Sequence, residues 1–386
     1  MRIVYEKIEV FRSMAVIDNA VYFLAGKGDR FYKAEAESGN IEEMQEISKK
    51  QYAYCEVVGY YECLIFVPAA AEEICIYNTR TKEYTSILVP DSNIAYDCSY
   101  KFSNAFVAGD KVFFIPHFYP DMIIWDMQVG KMYREHRLYE EFVKRKNPLN
   151  TEFFSSSGIV VHNKIYVTPF MENMVLEIDA ISCNIQFYEV AKQGKFYPCI
   201  AYDGNNVWLA GQKETLTKWN IEKGTAKEYD YPMGFKSGET AASYLSFFEW
   251  GNKIVLVPQL ANMFIEIDAS KDKVFGMETG YGIDNVGRYI VYDEQDGKTW
   301  TYNNTDQQLV SYCSKQDTIN KVKVSFRLKD FLSKICRCDN EMRPDNKDGS
   351  YVVKNIGRNI YYETSKDIFD NKSDRCDRGN CFVQNY

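Results

Sequence analysis

One unit recurs along this chain and constrains its fold more than any other feature. It is a strongly apolar run, a loop, and a strand ending in an aromatic or aliphatic residue followed by Asp or Asn. The apolar runs are Val21-Tyr22-Phe23-Leu24, Leu64-Ile65-Phe66-Val67, Val112-Phe113-Phe114-Ile115, Ile165-Tyr166-Val167, Val207-Trp208-Leu209 and Ile254-Val255-Leu256-Val257, with a seventh at Tyr289-Ile290-Val291-Tyr292. The strand endings are Tyr77-Asn78, Trp125-Asp126, Ile178-Asp179, Trp219-Asn220, Ile267-Asp268 and Tyr302-Asn303, with a weaker one at Ala34-Glu35. Polar turns follow them, then a fourth strand carrying an aromatic: Tyr84, Tyr133, Tyr188, Tyr229, Phe275 or Tyr312. Asn, Asp and Gly tolerate the positive φ of tight hairpins, which is why they gather there.

Continuous apolar runs this short mean strands covered on both faces. Successive Asx anchors lie between 35 residues (Asp268 to Asn303) and 53 residues (Asp126 to Asp179) apart. That is about the length of one four-stranded propeller blade. Radial stacking of such sheets buries both faces and leaves only short edges. The expected fold is therefore all-β, a β-propeller of seven blades, with six as the alternative. The chain resembles kelch-like and related propeller repeats over about residues 12 to 315. The resemblance is architectural: the paired glycines of kelch repeats are missing, so it implies a fold and no particular activity.

After about residue 316 the pattern changes. Val322, Val324 and Phe326 alternate with polar residues as in a strand, and Leu328, Phe331, Leu332 and Ile335 have helical spacing. This divides the chain into a propeller, 1–320, and a short α+β capping segment, 321–386, with a polar tail.

Composition narrows the function classes. The aromatic share of 15% suits pleated, half-buried surfaces. A net charge of −8 offers no basic stripe for a phosphate backbone, so no nucleic-acid partner is expected. Charged residues interrupt the N-terminal run, and no apolar stretch is long enough to span a bilayer, so a cytoplasmic protein with no membrane partner is expected. The 11 cysteines, with Cys55, Cys63, Cys75 and Cys199 inside expected strands, read as reduced core thiols.

Two sets of residues are candidates for a site. Propeller ligands usually meet the face built by loops between second and third strands and by inter-blade connections. There His117, Phe118 and Tyr119 follow Pro116, and Phe170 and Glu172 follow Pro169. Lys195 and Tyr197 lie on the connection into the fifth unit, near Lys213 and Glu214 of its loop. An aromatic floor with a few charges suits a protein, peptide or glycan partner. The second set is Cys336, Cys338, Cys376 and Cys381, four thiols that could hold Zn²⁺; no other cofactor is expected. No P-loop, nucleophile elbow, H-E-x-x-H or dinucleotide fingerprint occurs. Of the three histidines, only His117 is placed to act as an acid or base. A non-enzymatic binding propeller is the favoured reading. The alternative is a lactonase, lyase or hydrolase working in the central funnel.

Overall fold

The computed structural model describes residues 10–145, 154–169, 173–190, 196–211, 215–238, 242–293, 298–313, 315–316 and 318–326. The chain divides into a unit Met1–Ser325 and a unit Phe326–Tyr386. Beyond its first residue the second unit, with the four candidate zinc-binding cysteines, lies outside the described residues.

The first unit is a seven-bladed β-propeller. Its blades span 11–46, 54–88, 102–135, 154–189, 199–230, 244–278 and 289–323, each built on four consecutive antiparallel strands, with a short fifth strand beginning at Ser325 added to the outer edge of the first. The first strand of each blade is innermost and packs beside the innermost strands of its neighbours, and that of blade 7 lies beside that of blade 1. Among the described residues one helix occurs, Arg137–Arg145, leading from blade 3 towards blade 4.

The second strands show why the apolar runs are continuous. Side chains alternate across a strand, and here each face meets a different neighbouring blade. Leu64 and Phe66 pack with Tyr22, Leu24 and Phe31 of blade 1. Ile65 and Val67, between them, pack with Val112 and Phe114 of blade 3. Phe113 and Ile115 turn the other way, onto Ile165 and Val167 of blade 4. Val207 and Leu209 face Tyr166 of blade 4, while Trp208 and Ala210 face Ile254 and Leu256 of blade 6. The core is thus a ring of inter-blade layers. Pro68, Pro116, Pro169 and Pro258 end their second strands, where a missing N–H costs least.

Blade 7 corrects the strand assignment. Tyr289–Asp293 is its innermost strand, not its second, and Tyr302-Asn303 ends its second strand, Lys298–Asn303. Tyr312 lies on the third, Gln308–Cys313. The turn after Tyr302 has the Asx chemistry expected of the later hairpin: Asn303 Oδ1 accepts the N–H groups of Thr305 and Asp306. Such a turn joins any two adjacent strands, so it marks a hairpin without saying which one. The strand expected near 321 is the blade's outermost, Thr318–Lys323, and the boundary drawn at residue 320 falls inside it.

Ring closure runs through blade 1, whose sheet of the first four strands is extended at its outer edge by a short fifth strand that begins at Ser325, while blade 7 is built from the four strands before that one. Asn304, in the turn between the second and third strands of blade 7, makes a second join. Its Oδ1 accepts the N–H of Phe11 at 2.8 Å, and its Nδ2 donates to the carbonyls of Phe11 at 2.8 Å and Gly287 at 2.6 Å. Phe11 is fully buried, stacked on Phe23 and against Tyr302. At the outer rim Ser325 N–H donates to Gly39 O at 2.9 Å. Gly39 has φ +69°, and a Cβ there would sit 2.2 Å from the Lys323 carbonyl oxygen, so the seam admits only glycine at this point.

Candidate functional site

The innermost strands are edge strands, and their axial N–H groups have no further strand to bond. Left bare and buried, each would carry the cost of an unpaired donor. Five of these strands begin alike: a buried aromatic, a shift in pairing register, then a polar residue. The pairs are Phe11 and Ser13, Tyr54 and Glu56, Phe102 and Asn104, Phe154 and Ser157, and Tyr244 and Ser246. A bulge re-aims the side chain beside it. In three blades the polar atom reaches the next blade around the ring: Ser13 Oγ accepts Val57 N–H at 3.2 Å, Glu56 Oε2 accepts Ala105 N–H at 2.8 Å, and Ser157 Oγ accepts Ile200 N–H at 3.0 Å. Ser13→Ala, which strands the Val57 donor, should therefore lower stability by about 1–2 kcal/mol in urea denaturation. Replacement without loss would show that water serves that N–H equally well.

Inside this polar girdle runs an axial cavity of about 1200 Å³. Its wall is mixed. Met14, Ile17, Val57, Phe106 and Phe247 supply apolar surface, and Ser13, Asn104, Ser157 and Ser246 supply hydrogen-bonding groups. It reaches the turns that join first to second strands, where Tyr61, Asp110, His162 and Asn163 are exposed. His162 and Asn163 both have positive φ, 48° and 62°, as a two-residue type I′ hairpin requires. Tyr60 donates its hydroxyl to Asp110 Oδ1 at 2.8 Å and packs edge-on against Tyr61.

Three carboxylates line this cavity: Glu56 from blade 2, Asp110 from the blade 3 turn and Glu249 from blade 6. Burial raises Glu56 to about 7; the Ala105 N–H and the charge of Arg12 offset only part of that rise. Burial raises Glu249 as well. Arg12 directs a guanidinium N–H to the Tyr54 carbonyl at 3.1 Å.

The loop-face candidates are placed differently. His117 is 7% exposed, lies edge-on to Tyr100 and Phe118, and donates Nδ1–H to the Phe154 carbonyl at 3.3 Å. Tyr119 is fully buried, its hydroxyl on the Pro90 carbonyl, and Tyr197 is fully buried, its hydroxyl on the Val190 carbonyl. These three bind blades and connections together, and Phe118 is half-buried beside them. Phe170, Glu172, Lys195, Lys213 and Glu214 lie outside the described residues.

On the same side of blade 3, Asp121 is fully buried and ion-paired with Arg134. It also accepts His136 Nδ1–H at 2.5 Å, while Tyr139 stacks on the imidazole. That arrangement anchors the approach to the helix.

The channel residues escaped sequence reading. Their signal was nonetheless present, as an aromatic followed two or three positions later by Ser, Glu or Asn at the start of an inner strand. Among the described residues no helix is long and apolar enough to cross a membrane, and no group of three His, Cys, Asp or Glu side chains is arranged to hold a metal ion.

A scan against protein-family models finds no match, and a search of curated proteins finds none. Solved structures do match. A streptogramin B lyase aligns with a TM-score of 0.54 at 13% identity, over 78% of this chain and 93% of that one. The computationally designed Ika8 protein aligns with a TM-score of 0.51 at 10% identity, over 81% of this chain and 86% of that one. At such identities the shared property is the propeller fold, and function has to be sought in the site itself.

Proposed function

We propose that this protein is a ligand-binding propeller without catalysis of its own, which takes a small molecule, or the end of a peptide or glycan, into its axial channel from the first-hairpin side. The observation that carries this reading is the cavity. A volume of about 1200 Å³, a largely preformed wall of alternating apolar and polar groups, and tyrosines at the mouth are the features of a binding pocket. The wall belongs to rigid inner strands tied to one another across blades, so the site is held in shape before a ligand arrives.

Chemistry is not favoured by the same wall. The hydroxyls of Ser13 and Ser157 are engaged as acceptors of backbone N–H groups, where a nucleophile would need a base within hydrogen-bond reach. The carboxylates come from three different blades, with no pair hydrogen-bonded to each other among the described residues.

A thermal-shift screen of amino acids, short oligosaccharides and small metabolites tests the proposal. Ligands that bind the folded state raise its melting temperature. Ser246→Trp, which fills the channel, is expected to remove those shifts, and Phe118→Ala, on the loop face, to leave them intact. The opposite pattern would move the binding surface to the loop face.

A further inference from the structure

We infer, resting on the channel reading above, that the channel's ligand is an organic cation: an amine or guanidinium group on a hydrocarbon body, bound with its charge at Glu56.

The composition of the wall carries the inference. Lysine and arginine supply 46 of the chain's 386 residues, nearly as many as the 54 acidic ones. Among the described residues none of the 46 lines the cavity, whereas Glu56, Asp110 and Glu249 do. Carboxylates of one sign set in low-dielectric walls focus their field into the space between them and raise the local concentration of cations.

Glu56 is the deepest of the three, level with the girdle serines. One of its oxygens is committed to Ala105 N–H; the other has no hydrogen-bond donor among the described residues. A carboxylate held in this way costs stability unless something neutralises it. The charge of Arg12 from blade 1 offsets the burial of Glu56 only in part, and one of its N–H groups is given to the Tyr54 carbonyl. Cys55, the other titratable group beside it, is pushed up to about 12 by burial and stays neutral.

The charge that suits this place is organic. Glu56, Asp110 and Glu249 are not gathered into a coordination set, and hard metal ions need several oxygens at once. Val57, Phe106 and Phe247 give a hydrocarbon body its surface. Tyr60 and Tyr61 at the mouth offer ring faces that attract cations on the way in.

A charge series of matched length provides the test: 1,6-diaminohexane, 1,6-hexanediol and adipate, titrated calorimetrically at pH 8 into the wild type, Glu56→Gln and Ser246→Trp. The diamine is expected to bind at least roughly ten-fold more tightly than the diol, and adipate not to bind. Glu56→Gln, which keeps an acceptor for Ala105 and removes the charge, should weaken the diamine roughly ten-fold or more and leave the diol unchanged. In the wild type, diamine affinity should fall as pH drops through about 7, where Glu56 takes up a proton. In Glu56→Gln that step should be absent.

Equal binding of all three compounds, lost in Ser246→Trp, would end the charge assignment and leave the channel reading standing. So would absence of diamine binding at about 10 mM, if a ligand from the screen is lost in the same variant. Diamine binding that survives Ser246→Trp unchanged would end both.

Discussion

Replacing Asn304 with alanine is expected to lower the free energy of unfolding by about 3–4 kcal/mol. The side chain makes three hydrogen bonds of 2.6–2.8 Å, and two of them pair with the N–H and C=O of Phe11 much as a neighbouring strand would. Alanine leaves that donor and two carbonyls without partners beside a fully buried phenylalanine ring. Buried groups stranded in this way cost roughly 1–3 kcal/mol each, so even partial access of water keeps the total above a single hydrogen bond. Asn304→Asp separates donor from acceptor: it can still accept from Phe11 but can no longer donate to either carbonyl, and it should be at least as damaging. Urea denaturation measures both variants. A loss under about 1 kcal/mol for alanine would mean that the seam is held by side-chain packing alone.

Glu56→Gln should act in the opposite direction and only above acidic pH. The carboxyl group has a usual value of 4.5 and is raised to about 7 in the folded chain. Below 4.5 both folded and unfolded chains hold the proton, and the group has no net effect. Between 4.5 and 7 the unfolded chain releases the proton while the folded chain retains it, so stability falls as pH rises. Above 7 the loss is complete. At about 1.4 kcal/mol per pH unit the full effect would be about 3.5 kcal/mol, and water in the channel reduces it, so a range of about 1–3 kcal/mol is expected. Glutamine cannot ionise. The variant should match the wild type at pH 4, exceed it at pH 8, and lack the wild type's decline between them. Parallel profiles for the two proteins would show that Glu56 ionises in the folded chain as freely as in the unfolded one.

A carboxylate that weakens its own fold at neutral pH is the kind of local conflict that binding sites retain. That conflict was invisible in the sequence, where Glu56 is one of 54 acidic residues. The fold was far more legible. Leu64–Val67 or Val112–Ile115 had to be covered on both sides, and the Asx hairpins supplied the repeat. Both signals come from local chemistry, and both survive in the structure for six blades. The seventh was misaligned by one strand because Asn303 turns the chain by the same Asx geometry one hairpin earlier.

The loop-face candidates are marked in the sequence only by position: His117 to Tyr119, Phe170 and Glu172 follow a strand-ending proline, and Lys195, Tyr197, Lys213 and Glu214 lie on the connection into the fifth unit and its loop. Position along a strand is readable; depth is not. Whether Tyr119 or Tyr197 faces solvent depends on how connections fold over the neighbouring blade, and in both cases the hydroxyl finds a backbone carbonyl in the interior. The girdle is hard to read for a related reason: Ser13, Glu56 and Ser157 take their role from a partner strand 43 to 49 residues away, through a bulge that shifts register by one or two positions.

Closing the ring with one asparagine side chain and one short C-terminal strand on blade 1 has a bearing on how such a protein can change. Blades 2 to 7 each consist of four consecutive strands and are self-contained cassettes; only the sheet of blade 1 mixes strands from the two extremities of the sequence. Duplicating or deleting any of blades 2 to 6 would sever no hydrogen-bonded ladder; only the curvature of the array, the position of Asn304 opposite Phe11 and the reach of the last strand to blade 1 would need to readjust. The same independence means that new termini cut into a connection between cassettes would leave each of those cassettes intact.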